Sequence, residues 1–200
     1  MKRHGDNMKM TDLVSFKLGS PQFRIKETLA KGAPLYQMYS QLDLEEDLAG
    51  VVSDHQENKQ VKTLDDVATL KANDLVFSLI SGKAALVSPE HAGYLYTQNY
   101  LILEPDERLD DKFLLYLLNE DKGIARQLWL GLQGSMVLKY TVKQIKDLKL
   151  PKLPSLSKQV AIGQVYLKQK HLQAVKKRRA DNELTLQLAK LEEVLKNGWA

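Results

Sequence analysis

Residues 150–199 read LPKLPSLSKQVAIGQVYLKQKHLQAVKKRRADNELTLQLAKLEEVLKNGW, and this stretch decides the fold. Proline lacks an amide hydrogen and disfavours the helical conformation in the residue before it, so Pro151 and Pro154 predict an extended lead-in. No proline follows Pro154, a serine can cap the next turn, and Asn197-Gly198 is typical of a helix end. The sequence therefore predicts one helix from Ser157 to Asn197, about 60 Å long at about 1.5 Å per residue.

Apolar side chains recur along this predicted helix at spacings of three and four residues, as in a coiled-coil seam. They form two stripes, separated by the charged residues 176–183, that do not share one heptad register. A helix this long projects beyond a small domain, so the stripes predict a partner helix. A surface helix packed on its own domain is the alternative. The predicted seam residues are Val165, Leu172, Val175, Leu184, Leu188, Leu191 and Leu195.

Composition limits the class of protein. Of the 200 residues, 44% are hydrophobic, enough for one domain in addition to the helix. There is no cysteine, which excludes disulfides and thiolate metal sites. No apolar run approaches the roughly 18 residues of a membrane-spanning helix, and the first residues lack the apolar core of a signal peptide. We therefore expect a cytoplasmic protein with no membrane partner.

The chain divides into three parts. Residues 1–10 are polar and are predicted to be disordered. Residues 11–154 alternate strand-like and helix-like patterns, which predicts an α+β fold, and residues 155–200 form the long helix. Strands are predicted at 13–18, 35–39, 75–80, 84–88 and 94–103, the last with Gln98 and Asn99 in its middle; helices at 111–118 and 124–132 and after Thr141; and loops or a short helical turn at 43–47 and 53–62.

Charge is uneven along the chain. From Ser157 onward there are nine Lys and Arg against four Asp and Glu, whereas the first 156 residues hold 20 against 21. A basic helix predicts contact with phosphates or with an acidic partner surface, and a solvated face is the alternative. The candidate contact residues are Lys176, Lys177, Arg178 and Arg179.

The sequence carries little sign of catalytic or metal chemistry. Its histidines, His4, His55, His91 and His171, are too far apart for a local ligand pair, so no metal site is predicted. No nucleophile elbow or phosphate-binding loop is present. Asp106, Glu120 and Lys122 fit a loose nuclease pattern, but the residues between them are helical in pattern and would hold the two carboxylates apart.

Several motifs, taken in order, resemble the specificity (S) subunit of type I restriction-modification enzymes. Leu13–Gly19 is similar to the family's opening strand and glycine turn, and Asn73–Ser78 to its central strand. Leu148–Pro154 follows Gly134-Ser135, and Leu156–Ile162 resembles the start of the family's conserved helix. The resemblance covers roughly residues 11–197.

This resemblance implies a target recognition domain that contacts half of a bipartite DNA site, followed by a spacer helix. The usual family member carries two of each, so a homodimer with antiparallel helices is expected here, on an inverted repeat with a fixed gap. The family subunit is not an enzyme. It binds methyltransferase subunits, which are expected to use S-adenosylmethionine, and through them restriction subunits. A coiled-coil adaptor without base-specific binding and a metal-dependent nuclease remain the alternatives.

Amide, hydroxyl and basic side chains in the loops are the candidates for base contacts, because amides pair with adenine and lysine with guanine in the major groove. Buried amides that satisfy the sheet are the alternative for some of them. The candidates are Gln37, Tyr39, Lys83, Gln98, Asn99, Gln133, Ser135 and Lys139.

Overall fold

A computed structural model describes residues 8–52, 58–132 and 139–197. The strands are β1 (Val14–Leu18), β2 (Leu35–Gln37), β3 (Gln60–Lys62), β4 (Leu75–Ser78), β5 (Ala84–Leu86) and β6 (Tyr100–Pro105). The helices are α1 (Gln41–Ala49), α2 (Asp111–Glu120), α3 (Lys122–Leu132), α4 (Val142–Lys146) and α5 (Leu156–Asn197). No helix of these described ranges is both long and apolar enough to cross a membrane.

Four of the strands form an antiparallel sheet in the order β1-β6-β4-β5, and β2 and β3 form a separate ribbon. Leu18 lies opposite Leu101, and Ser78 opposite Tyr100. The last residues of β1 and β4 therefore lie beside the first residues of β5 and β6, at one end of the strands. We call this end of the sheet the hairpin end, because the β4–β5 turn, residues 79–83, lies there.

Helix α2 covers one face of the sheet and completes the core. Its Phe113, Leu114 and Leu115 are buried with strand residues such as Phe77 and Leu101. Asp110 caps the helix by accepting a hydrogen bond from the Phe113 amide at 2.8 Å. Near its end, Asn119 accepts a hydrogen bond from the Ala84 amide and donates one to the Ala84 carbonyl. The outer edge of β5 is thus paired with a side chain instead of another strand.

The first half of α5 packs along α2, and its fully buried residues are polar, small or aromatic, while Leu167 packs partly buried against the core. Gln159 is buried, accepts a hydrogen bond from the Asp110 amide and donates to the carbonyls of Arg108 and Pro154. A Cβ at Gly163 would lie 2.5 Å from the Lys112 Cβ, so glycine permits the close approach of the two helices. Tyr166 packs edge-on against Tyr116 and donates to Glu120.

The second half of α5 leaves the body. Every residue from 175 to 196 is exposed, and α1 with residues 50–52 lies only beside the part up to residue 186. The prediction of one long helix is confirmed, with its start one residue earlier than expected.

Residues 43–47, expected as a loop or a short helical turn, belong to the nine-residue helix α1. Three expectations from the sequence are wrong. Residues 60–62, expected in a loop or helical turn, form β3. Gln98 and Asn99 precede the last strand, which begins at Tyr100. Met8–Met10 belong to the fold, since Met10 is fully buried and its amide donates to the Leu148 carbonyl; residues 1–7 lie outside the described residues. The hairpin, the Asp110 cap and the Thr141–Gln144 capping box are confirmed.

Candidate nucleic-acid interface

The hairpin end of the sheet is held together by backbone hydrogen bonds between three segments of the chain. The Leu79 amide donates to the Asn99 carbonyl, and the Tyr140 amide donates to the Leu79 carbonyl, each at 2.8 Å. Asn99 thus joins the turn before β6 to the β4–β5 turn, and Tyr140 joins the segment before α4 to both. Loops fixed in this way on a rigid sheet are a common place for binding residues.

The β4–β5 turn itself is fixed by Ser78 and Gly82. The buried Ser78 hydroxyl accepts hydrogen bonds from the amides of Ile80 and Ser81. Gly82 has a φ of +70°, and a Cβ there would lie 2.6 Å from the Tyr140 ring, so a larger residue would be both strained and blocked. The turn therefore presents the exposed side chains of Ile80, Ser81 and Lys83 in a defined arrangement.

Helix α1 supports the same turn from behind. Gln41 donates to the Ser78 hydroxyl at 2.8 Å and to the Tyr100 hydroxyl at 2.9 Å. Burial raises the pKa of Tyr100 to about 12, although the hydrogen bond from Gln41 lowers it. Lys83 pairs with Glu45 at 3.1 Å, and both side chains remain about half exposed. Such an exposed ion pair contributes little to stability, so the Lys83 ammonium is available to another partner.

Four of the predicted base-contact residues lie at the hairpin end. Lys139 donates to the Asn99 side-chain oxygen at 2.7 Å, Gln98 is the neighbour of Asn99, and Lys83 closes the turn. All four side chains are at least partly exposed. The amides of Gln98 and Asn99 and the ammonium groups of Lys83 and Lys139 thus lie together at the hairpin end. Amide and ammonium groups are donors and acceptors that can recognise the edges of bases.

The other predicted base-contact residues do not join this group. Gln37 lies on the two-stranded ribbon opposite Gln60. Tyr39 is buried and donates to Asp47 at 2.6 Å, and burial followed by the Asp47 charge raises the pKa of this hydroxyl. The expectation that Tyr39 contacts DNA is therefore corrected to a structural role. Gln133 and Ser135 lie outside the described residues.

A basic surface that the charge pattern along the sequence did not predict adjoins the hairpin end. Residues 122–152 hold seven Lys and Arg against the single acid Asp147, a net +6, so the rest of the first 156 residues carries −7. The near-neutral total of the first 156 residues conceals this segment. We call it the α3–α4 surface; its cations are Lys122, Arg126, Lys139, Lys143, Lys146, Lys149 and Lys152.

The cations of the α3–α4 surface have no carboxylate partner among the described residues, although Lys139 donates to Asn99 and Lys146 lies over the Phe16 ring. All but Lys139 are exposed, and within the described ranges none lies within 4.0 Å of a carboxylate. The two helices are tied together by Gln127, which exchanges hydrogen bonds with the backbone of Lys149, and by Gln144, which donates to the Gly131 carbonyl. Trp129 projects from α3 and is 60% exposed. Unpaired cations beside an exposed aromatic ring suit a phosphate backbone.

The four predicted contact residues on α5, Lys176 to Arg179, are all exposed. Arg179 pairs with Glu183 one turn further on, at 3.4 Å. Where α5 leaves the body, Lys177, Arg178 and Arg179 lie beside α1 and the loop that follows it.

The loose nuclease pattern does not form a site in the structure. Asp106 is paired with Arg108, whereas Glu120, at the other end of α2, accepts from Tyr166. A different group of metal-ligand side chains comes together instead. Asp43 and Glu46, three residues apart on α1, face His91 from the turn after β5, and all three are buried. Spacing between histidines alone could not reveal it, since two of its members are carboxylates on a helix that the hydrophobic pattern missed.

Comparison with known proteins reveals similarity in structure alone. No family model and no curated protein matches the sequence. The HsdS subunit from Thermoanaerobacter tengcongensis matches 92% of the chain with a TM-score of 0.56 and 19% identity. A chain from a study of complex assembly and conformational transition of the type I R-M system matches 96% with a TM-score of 0.57 and 19% identity.

This chain has the fold of a type I specificity subunit. It spans less than half of the solved chains, 42% and 46% of their lengths. The specificity-subunit fold accounts for the two parts of the structure, a mixed α and β body and one long helix. The resemblance inferred from the strand and helix motifs is confirmed at the level of fold.

Proposed function

We propose that this chain is a sequence-specific DNA recognition subunit of a type I restriction-modification system. The observation that carries the proposal is the position of the hairpin end beside the α3–α4 surface, on a body with the specificity-subunit fold. Phosphate contacts position a protein on DNA, and contacts to base edges give specificity. The α3–α4 surface supplies the first kind of group, and Lys83, Gln98, Asn99 and Lys139 supply the second.

The proposed active form is a homodimer in which two copies of α5 pair. The second half of α5 carries exposed apolar side chains at Leu184, Leu188, Leu191 and Leu195, each more than half exposed. Earlier along the helix, Val165, Leu172 and Val175 are also 43–58% exposed, whereas Gly163 and Tyr166 occupy the face that packs on α2. An isolated apolar stripe on a helix of 42 residues requires a partner.

Charge along α5 favours antiparallel pairing. Residues 157–179 hold seven Lys and Arg and no acid, whereas residues 180–197 hold four acids and two lysines. A parallel pair would place the two basic halves side by side. An antiparallel pair places each basic half beside the acidic half of the other copy. Opposite charges at the flanking positions of a coiled coil favour this orientation.

A groove at the exit of α5 from the body gives the second copy a place to begin. It has a volume of about 680 Å³ and is lined by the apolar residues Val51, Val52, Val175 and Leu186 and by the charged residues Arg178, Arg179 and Glu183. In an antiparallel dimer the far end of the partner's helix, with its leucines and Glu192-Glu193, reaches this groove. The partner's leucines then contact the apolar lining of the groove, and its glutamates lie beside the arginines.

The chain itself is proposed to be non-catalytic. It would direct methyltransferase subunits, which use S-adenosylmethionine, and through them restriction subunits, to the DNA site. Two copies of one recognition domain related by a two-fold axis would bind an inverted repeat, and α5 would fix the separation of the two half-sites.

The test is a methylation map of DNA exposed to this chain and a cognate methyltransferase subunit. We expect methylation at a gapped inverted repeat. A matched pair of variants separates the two kinds of contact: Asn99→Ala should relax the sequence preference, whereas Arg126→Ala should weaken binding to all sequences and reduce its salt dependence. Unchanged base preference in both variants, with methylation independent of the chain, would instead favour a coiled-coil adaptor.

A further inference from the structure

Lys139 and Asn99 at the hairpin end are bonded to each other, and this bond limits which atoms they can offer to a base. The Lys139 ammonium lies 2.7 Å from the Asn99 side-chain oxygen. An ammonium group only donates hydrogen bonds, so the amide atom that faces it is the oxygen and not the nitrogen. The distance is at the short end of the range for a charge-assisted hydrogen bond. The acceptor of Asn99 is therefore engaged before any base arrives.

The backbone of Leu79 holds both residues in place. The Leu79 amide donates to the Asn99 carbonyl at 2.8 Å. The Leu79 carbonyl accepts from the Tyr140 amide at the same distance, which fixes the neighbouring Lys139. The Tyr140 ring also packs edge-on against the buried Phe77 ring, with centroids 6.4 Å apart. The backbone at the two positions is thus fixed independently of the side-chain hydrogen bond, and the pair is in place before DNA binds.

The pair offers donors to a ligand. The Lys139 ammonium carries three hydrogens, of which one is used on Asn99. The Asn99 side-chain nitrogen carries two more, and no group among the described residues accepts from them. Both side chains are partly exposed, so these hydrogens can reach a ligand. A ligand that fits the pair has two acceptors side by side.

Guanine is the base that presents such a pair of acceptors. Its N7 and O6 are neighbours in the major groove, whereas adenine presents the acceptor N7 beside the amino donor N6. An asparagine with a free oxygen bonds both of these adenine atoms. Here the second lone pair of the Asn99 oxygen lies beside the Lys139 ammonium, so an adenine amino group would approach a cation that also donates. The hydrogen bond thus changes the base that Asn99 selects.

We propose that Lys139 and Asn99 act together as a double donor that selects one guanine in each half-site of the DNA. The Asn99 nitrogen and the Lys139 ammonium bond the N7 and O6 of this guanine. Lys139 therefore has two roles, a direct contact to the base and the engagement of the Asn99 oxygen. This inference rests on the proposed function, because it concerns a base contact of the same site.

The experiment maps the methylation of a DNA library with randomised sites by the full-length chain and a cognate methyltransferase subunit. We expect the wild type to require guanine at one position of each half-site. Lys139→Met removes the ammonium and frees the Asn99 oxygen, so the preference at that position should move from guanine to adenine. Asn99→Asp keeps the shape of the side chain but replaces the donor with an acceptor, which should reduce the guanine preference roughly 5- to 100-fold.

The outcomes separate this inference from the proposed function. A gapped inverted repeat in which neither variant changes the base preference at any position would overturn the guanine assignment and still support a DNA recognition subunit. Methylation that does not depend on the chain would refute both.

Matched variants separate the choice of base from general affinity. Lys139→Arg keeps the charge and the donors and should retain the guanine preference. Lys143→Met removes an exposed cation of the α3–α4 surface and should weaken binding to all sequences alike. Circular dichroism checks that each variant folds. Loss of the guanine preference in Lys143→Met as well would indicate a general effect of charge and refute the role of the pair.

A change in the DNA tests the same contact without altering the protein. Replacing the selected guanine with 7-deazaguanine removes the N7 acceptor alone. We expect binding by the wild-type chain to weaken at least about fivefold and binding by Asn99→Asp to stay unchanged. Equal losses in both would show that Asn99 does not contact this atom and would overturn the assignment.

Discussion

The two halves of α5 differ in what covers them, although they belong to one uninterrupted helix. In the first half the buried contacts are made by Gln159, Gly163 and Tyr166, a polar, a small and an aromatic residue. In the second half the conspicuous residues are leucines, and all are exposed. The hydrophobic pattern of α5 therefore does not show where the helix packs on its own body. In the proposed dimer, it marks the surface that pairs with the second copy.

The largest effect should separate the two halves by stability. Tyr166→Ala removes a buried aromatic side chain, so we expect the free energy of unfolding to fall by about 3–5 kcal/mol. Leu191→Ala, a truncation of an exposed residue on the same helix, should change it by less than about 0.5 kcal/mol in the monomer. Urea unfolding followed by circular dichroism at low protein concentration measures both. Equal losses would mean that the second half of α5 also packs on the body.

A smaller loss is expected from crowding the contact between α2 and α5. Gly163→Val would press a side chain against the backbone of Lys112 and Phe113, where even a Cβ comes within 2.7 Å. Overpacking of this kind costs about 1–3 kcal/mol. Ala189→Val in the second half is the matched control and should cost only a few tenths of a kcal/mol, the difference in helix propensity. Similar values for the two variants would remove the distinction between the halves.

The association of two chains should depend on the second half of α5, whereas the stability of one chain depends on the first half. Leu188→Asp combined with Leu191→Asp places charge in the proposed seam, and we expect the dimer dissociation constant to rise at least tenfold, about 1.4 kcal/mol. Sedimentation equilibrium measures it, and unfolding of the monomer should be unaffected. Leu64→Asp, an equally exposed leucine of the body, is the control. A wild-type chain that stays monomeric would contradict the proposed dimer.

The smallest effect concerns orientation. Lys176→Glu with Lys177→Glu should weaken the dimer by about 0.2–1 kcal/mol for each exposed pair that is lost, and less at high salt. Adding Glu192→Lys and Glu193→Lys to the same chain should restore affinity if the helices are antiparallel. Failure of this charge exchange to restore affinity would favour a parallel pair.

The sequence was sufficient for the long helix, the β4–β5 hairpin and the caps at Asp110 and Thr141, since each depends on local chemistry. It was insufficient for α1. The inward face of that helix carries Asp43, Glu46 and Asp47, and a search for apolar periodicity cannot find a helix whose buried side chains are charged. The partner that makes such burial tolerable, His91, comes from a distant turn.

The candidate interface was predictable in part for a related reason. The residue types at Lys83, Gln98, Asn99 and Lys139 predict contact with bases. That they lie together at the hairpin end follows only from the antiparallel pairing of β4 and β6. Tyr39 also carries a polar group but is buried, and its hydroxyl donates a hydrogen bond to Asp47 on α1. Burial of a hydroxyl depends on a tertiary partner, which no local pattern reveals.

The amide of Asn119 has a consequence for how the protein behaves among copies of itself. A free outer strand offers its backbone to any other strand and is a route to aggregation. By bonding both the amide and the carbonyl of Ala84, Asn119 takes the place that an invading strand would occupy. On the opposite margin, Lys17 and Glu104 set charges beside β1. Both margins of the sheet are thereby protected against pairing with a strand of another copy.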